Sequence, residues 1–131
     1  MERVKATDYG IEIVFGGPLS REEAEDVLAE LQRKLPPPGG RFGLLVDSRG
    51  ARAYSAAAQE VFKRAIFLCL ERGMERAVVV HDSPVASFQA RRLAIETGTL
   101  LWTRYVDADS RPDWRRAARA WLIDAVDPDL G

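Results

Sequence analysis

The feature that most constrains this chain is the stretch from Arg41 to Gly73. Phe42-Gly43-Leu44-Leu45-Val46 is short and apolar and stops at Asp47. A polar loop follows, Ser48-Arg49-Gly50-Ala51-Arg52-Ala53-Tyr54, and Ser55 then opens a long apolar helix from Ala56 to Arg72. A buried strand that ends in an acid and hands over to a capped helix is the βα edge at which α/β folds place their sites.

The same grammar recurs on both sides. Ala77-Val78-Val79-Val80 is a β-branched run of the fully buried type, and Gly73 before it sits where a helix C-terminal glycine belongs. Ser83 fits an N-cap and Pro84 the first position of a helix that runs to about Thr97, with Gly98 ending it. Leu101 to Val106 reads as the last strand, and Ser110-x-x-Asp113 as the cap of a final helix. That helix carries the stripe Trp114, Ala117, Ala118, Trp121, Leu122 and Ala125. Upstream, Val4 to Thr7 and Ile11 to Phe15 form a hairpin pattern around Asp8-Tyr9-Gly10. Gly16-Gly17-Pro18 breaks it, and Ser20-x-x-Glu23 is a capping box. The helix so capped lines up Ala24, Val27, Leu28, Leu31 and Leu35 and ends at Pro36-Pro37-Pro38. The predicted order is β-β-α-β-α-β-α-β-α. This is an α/β fold in a single domain spanning residues 1–131. Its sheet is mixed and mostly parallel, with an N-terminal β-hairpin and about four helices.

Charge and cysteine content narrow the function classes. A formal net charge of −1 gives no pull toward a polyanion, so no nucleic-acid partner is expected. Arg115-Arg116-Ala117-Ala118-Arg119 reads as a solvated helix face. One cysteine, Cys69, excludes an internal disulfide and a multi-cysteine zinc site, and its place in an apolar stripe makes it a small core residue. No metal or cofactor fingerprint is present. No run is long enough to span a membrane, and the first residues lack an apolar targeting core, so a cytoplasmic location is expected.

The candidate ligand-binding residues cluster at the predicted strand ends. Asp47 is placed to orient a ligand or to bind loop amides; its plainer role is to cap the loop. Arg49 and Arg52 flank Gly50 near a helix N-terminus, a place suited to phosphate or carboxylate; the plainer role is two solvated arginines. His81, with Ser83 two residues on, is the only histidine and the only base for chemistry near neutrality. Neighbours in sequence cannot make a relay, so His81-Asp82-Ser83 is no triad. Ends of parallel strands gather at one edge, which would set Asp47 and His81 near each other, an incomplete catalytic constellation.

The helices carry a second signal. Ala58, Val61, Phe62, Ala65, Leu68 and Cys69 share one side of their helix. Phe67 falls opposite, among charged residues, with Leu70 between the two sides. On the next helix Ala86, Ala90, Leu93 and Ala94 make one stripe, while Val85, Phe88 and Ile95 make another. Phe67, Leu70, Phe88 and Ile95 are the candidate interface residues.

The element order, Phe42 to Asp47, Ser55 at the head of the next helix, and Ala77 to Val80 after Gly73 together resemble the STAS domain, the fold of the anti-sigma-factor antagonists. The similarity is to the divergent branch grouped with lipid-binding Sec14-type domains. In regulatory members an acid ends the central strand, and a phosphorylatable serine or threonine opens the following helix. The resemblance implies Asp47 for the first and Ser55 for the second. Arg52-Ala53-Tyr54-Ser55-Ala56-Ala57 carries neither the acid before that serine nor the glycine after it. The expectation is a non-enzymatic STAS-like interaction or regulatory domain with a protein partner or a second copy of itself. The alternative is a small-molecule or lipid-binding protein, its apolar or anionic ligand held at the strand ends near Asp47, Arg49 and His81.

Overall fold

A computed structural model describes residues 3–130. The first hairpin is β1 (Val4–Ala6) and β2 (Gly10–Val14), followed by a short β3 (Gly17–Leu19) and helix α1 (Arg21–Lys34). Then come β4 (Phe42–Asp47), β5 (Ala51–Tyr54) and α2 (Ala56–Glu71). The chain continues through β6 (Met74–His81), α3 (Pro84–Thr97), a 3-10 turn (Leu100–Trp102), β7 (Thr103–Asp107) and α4 (Trp114–Asp124).

Five strands form one sheet in the order β1-β2-β4-β6-β7. β1 pairs antiparallel with β2, and every later pairing is parallel. The fold is therefore the expected mixed, mostly parallel α/β arrangement with an N-terminal hairpin. β4 and β6 are direct neighbours, with Leu44 opposite Ala77 and Asp47 opposite Val80. Each crossover steps the same way along the sheet, and crossovers of one hand then stack their helices on one face. Side chains of α1, α2 and α3 accordingly share a core with Ile11, Ile13, Leu44 and Ala77. The opposite face is left to α4, whose Ala118, Trp121 and Leu122 pack on Leu45, Val78, Val80 and Val106. Gly43 lets α4 come close: a Cβ there would lie 3.1 Å from Leu122.

Local signals explain the boundaries. The hydroxyls of Ser20, Ser55 and Ser83 accept from the backbone N–H of Glu23, Ala58 and Ala86, capping α1, α2 and α3. Gly98 ends α3 in the left-handed conformation at φ 75°. Gly73 follows α2 at φ 103°, where a Cβ would run into the Gly40 carbonyl.

The structure departs from the sequence reading in four places. Ala51–Tyr54 is not loop but strand, paired in parallel with β3 through the Gly16-Gly17-Pro18 segment read as a break. Leu100–Trp102 makes a 3-10 turn, so the last strand starts at Thr103. Ser110 does not cap α4. Its hydroxyl donates back to the Asp107 carbonyl, and α4 begins after Asp113 with no side-chain cap. Ala125 also leaves the buried stripe, ending α4 in an exposed left-handed turn.

Candidate functional site

The parallel strands do bring the predicted site residues to one edge, but the pleat divides them. Asp47 lies opposite Val80 and so faces α4. His81 is the next residue on β6, so its side chain turns to the face of α1–α3, where Arg91 of α3 is among its charged neighbours. Asp47 and His81 are close in register and on opposite sides of the sheet.

On the α4 side, Asp47 is 4% exposed and already engaged. Its carboxylate accepts from Arg49 Nε and Nη2, both at 2.9 Å, and from the Arg49 backbone N–H at 3.2 Å. The same guanidinium lies 4.3 Å from the ring centre of Trp114. Behind it, the Asp82 carboxylate accepts the Gly50 N–H at 2.9 Å, and the Ser48 hydroxyl donates to the Val80 carbonyl at 2.7 Å. These bonds fix the β4–β5 loop against the end of β6. Arg52 turns elsewhere: it is exposed, and its guanidinium donates to the Gly50 carbonyl at 3.4 Å. The two arginines therefore do not converge on one anion-sized space. Ser83 is spent on its cap.

On the other side, burial lowers the His81 pKa, opposed by the Asp107 carboxylate beside it. The imidazole is thus neutral near pH 7. Its buried Nδ1 has no hydrogen-bond partner among the described residues. Asp107 is its cross-strand neighbour, and Arg91 covers the Tyr105 ring at 4.2 Å. The grouping has a base but no nucleophile held by it.

Ser55 is exposed and holds the α2 N-terminus, its Oγ 3.0 Å from the Ala58 nitrogen. A phosphate there would meet the free N–H groups of a helix start, a favourable setting for an anion.

The helix surfaces keep the surplus apolar residues exposed. Phe67 is 48% exposed, Val85 53%, Phe88 72% and Ile95 62%. Leu70 differs, being half-buried against the core. α2 and α3 lie side by side, joined by Lys63 Nζ to Glu96 at 2.8 Å. Phe67 lies four residues past Lys63, and Phe88 eight before Glu96. Both helices return between parallel strands, so these rings are offset by about 18 Å along the axes at 1.5 Å per residue. Phe67 and Phe88 thus stand at different levels. Val85, Phe88, Arg92 and Ile95 instead follow one line along α3 at spacings of three, four and three.

A further feature lies between the sheet and α1–α3. A cavity of about 100 Å³ is lined by Ile13, Leu44, Val79, Ala65, Ala77 and Ala94 among others, with Phe15, Tyr54 and Phe62 also on its wall. These three rings pack tilted against one another at 5.1 to 6.4 Å between centres. The surroundings are apolar enough to push the Cys69 thiol and the Tyr54 and Tyr105 phenols up to about 12. Sequence reasoning missed this cavity, and it also missed Asp82 and Trp114 as partners of the β4–β5 loop. The one signal for the cavity was the alanine content of the buried faces of α2 and α3.

No protein-family model matches the chain, and no curated protein matches it either.

Proposed function

We propose that this chain is a STAS-like interaction and regulatory domain without catalytic activity, and that its working surface is the outer face of α3. The single observation that carries the reading is that α3 is apolar on both sides. Ala86, Leu93 and Ala94 are buried in the core, while Val85, Phe88 and Ile95 stand in solvent. A helix with one apolar stripe in the core and another outside is built to be covered on both faces. The occupant is a protein partner or a second copy of the chain; two-fold self-association is the commonest use of such a face. The STAS-like assignment is supported by the element order, by Asp47 at the end of the central strand and by Ser55 at the head of α2.

The alternative, a ligand held at the strand ends by Asp47, Arg49 and His81, has less support. Asp47 and Arg49 are engaged with each other, and His81 faces the other side.

Light scattering on the wild type and on Phe88→Asp combined with Ile95→Asp, both on the outer line of α3, tests the proposal. The wild type is expected to exceed the 14.6 kDa monomer mass at high concentration or to bring down a partner, and the double variant to do neither. A monomeric wild type that binds nothing the variant fails to bind contradicts it.

A further inference from the structure

We propose that the cavity between the sheet and helices α1–α3 is a binding site for a small, uncharged, non-polar molecule about the size of one aromatic ring. This inference stands independently of the surface on α3.

Size comes first. The cavity holds about 100 Å³, and an engineered apolar cavity of about 150 Å³ stays dry and takes up benzene or xenon. Native interiors keep few voids larger than a water molecule. Here the space is written into the sequence at Ala65, Ala77, Ala90 and Ala94, which line it from α2, β6 and α3. A branched aliphatic residue at any of these positions would fill part of it.

The chemistry of the wall sets the ligand class. A bound water needs two to four polar partners, and the hydroxyl groups of the lining already have partners. The Thr103 hydroxyl donates to the Thr99 carbonyl at 2.8 Å, and the Thr99 hydroxyl donates to the Ala94 carbonyl at 3.5 Å. The Tyr105 hydroxyl donates to the Ala90 carbonyl at 3.4 Å, and Tyr54 interacts with Ser48. Among the described residues that line it there is no Asp, Glu, Lys, Arg or His. A ligand with a carboxylate or phosphate would find no partner for it there, and burying such a group unpaired is prohibitive. The Phe15, Tyr54 and Phe62 rings, by contrast, offer edges and faces to another ring.

Benzene is the probe for the test, added to the full chain while thermal unfolding and the methyl NMR spectrum are followed. A ligand that binds only the folded state raises the unfolding midpoint, here by roughly 2–4 °C at several times its Kd. Methyl shifts are expected at Ile13, Val79 and Leu93 and not at Val106 on the α4 side. Two filled variants, Ala94→Leu on the helix and Ala77→Val on the strand, are expected to lose most of the benzene-dependent rise. Should one of them fail to fold, the other decides the comparison, and xenon under pressure on the wild type gives a readout that needs no variant. Absence of both a midpoint rise and saturable xenon binding in the wild type overturns the proposal. So does an undiminished rise in a folded filled variant. A fatty acid or phospholipid mass on the purified protein in native mass spectrometry overturns the ligand class.

Discussion

At the residue scale the chain separates groups that hold the fold from groups that are free to act. Ser55 belongs first to the fold. Replacing it with Ala removes the bond to the Ala58 nitrogen and is expected to cost about 1 kcal/mol in a urea titration, while Ser55→Asp, itself a good cap, stays within a few tenths. Equal stability of Ser55→Ala and wild type would show that the cap bond contributes nothing. His81 supplies a pH signature. Burial holds its pKa below the ordinary 6.5, so the unfolded chain takes up that proton first. The contribution of His81 to stability is complete above about pH 6.5 and is lost as the pH falls through that value toward the folded pKa. Stability measured from pH 7.5 to 5.5 should decline in the wild type and decline less in His81→Gln; identical slopes would place the imidazole in open solvent. The sequence announced Asp47, Arg49 and His81 as site residues by type and by position at strand ends. It could not show that Asp47 and Arg49 would be consumed by each other. That depends on where a side chain two residues on swings, which neither periodicity nor spacing encodes.

At the element scale, legibility followed the range of the cause. The starts of α1, α2 and α3 were readable because each rests on a serine three residues before the N–H it binds. β5 was not, because Ala51–Tyr54 becomes a strand only through pairing with β3, more than thirty residues earlier. The final helix was misplaced for a related reason. Ser110 had a second local acceptor, the Asp107 carbonyl, and the turn there won over the cap. The two helix-ending glycines make a matched pair for experiment. Both have positive φ, but a Cβ at Gly73 meets the Gly40 backbone while a Cβ at Gly98 meets nothing within 4 Å. Gly98→Ala is expected to cost about 1 kcal/mol from the left-handed conformation alone. Gly73→Ala should cost clearly more, because the chain must also move. Equal thermal midpoints for the two variants would mean that the Gly40–Gly73 contact is loose.

At the scale of the whole molecule, one sheet carries two unlike faces. The α4 face is filled by Trp121 and Leu122 over valines. The face under α1–α3 leaves a cavity, and the helix α3 that borders it also shows an apolar stripe to solvent. The doubled stripe was readable from the 3.6-residue period of α3. The cavity was not, since an alanine in a buried stripe signals close packing as readily as unfilled space; only the distance between sheet and helices decides which. The central claim is that the outer face of α3 is an interaction surface. It is tested most directly by amide NMR spectra of the wild type recorded across a wide concentration series and, separately, with any protein it captures. The expected result is a set of shifts centred on Val85, Phe88, Arg92 and Ile95, absent in Phe88→Asp. Shifts centred on α4, or none on α3 under either condition, would contradict it.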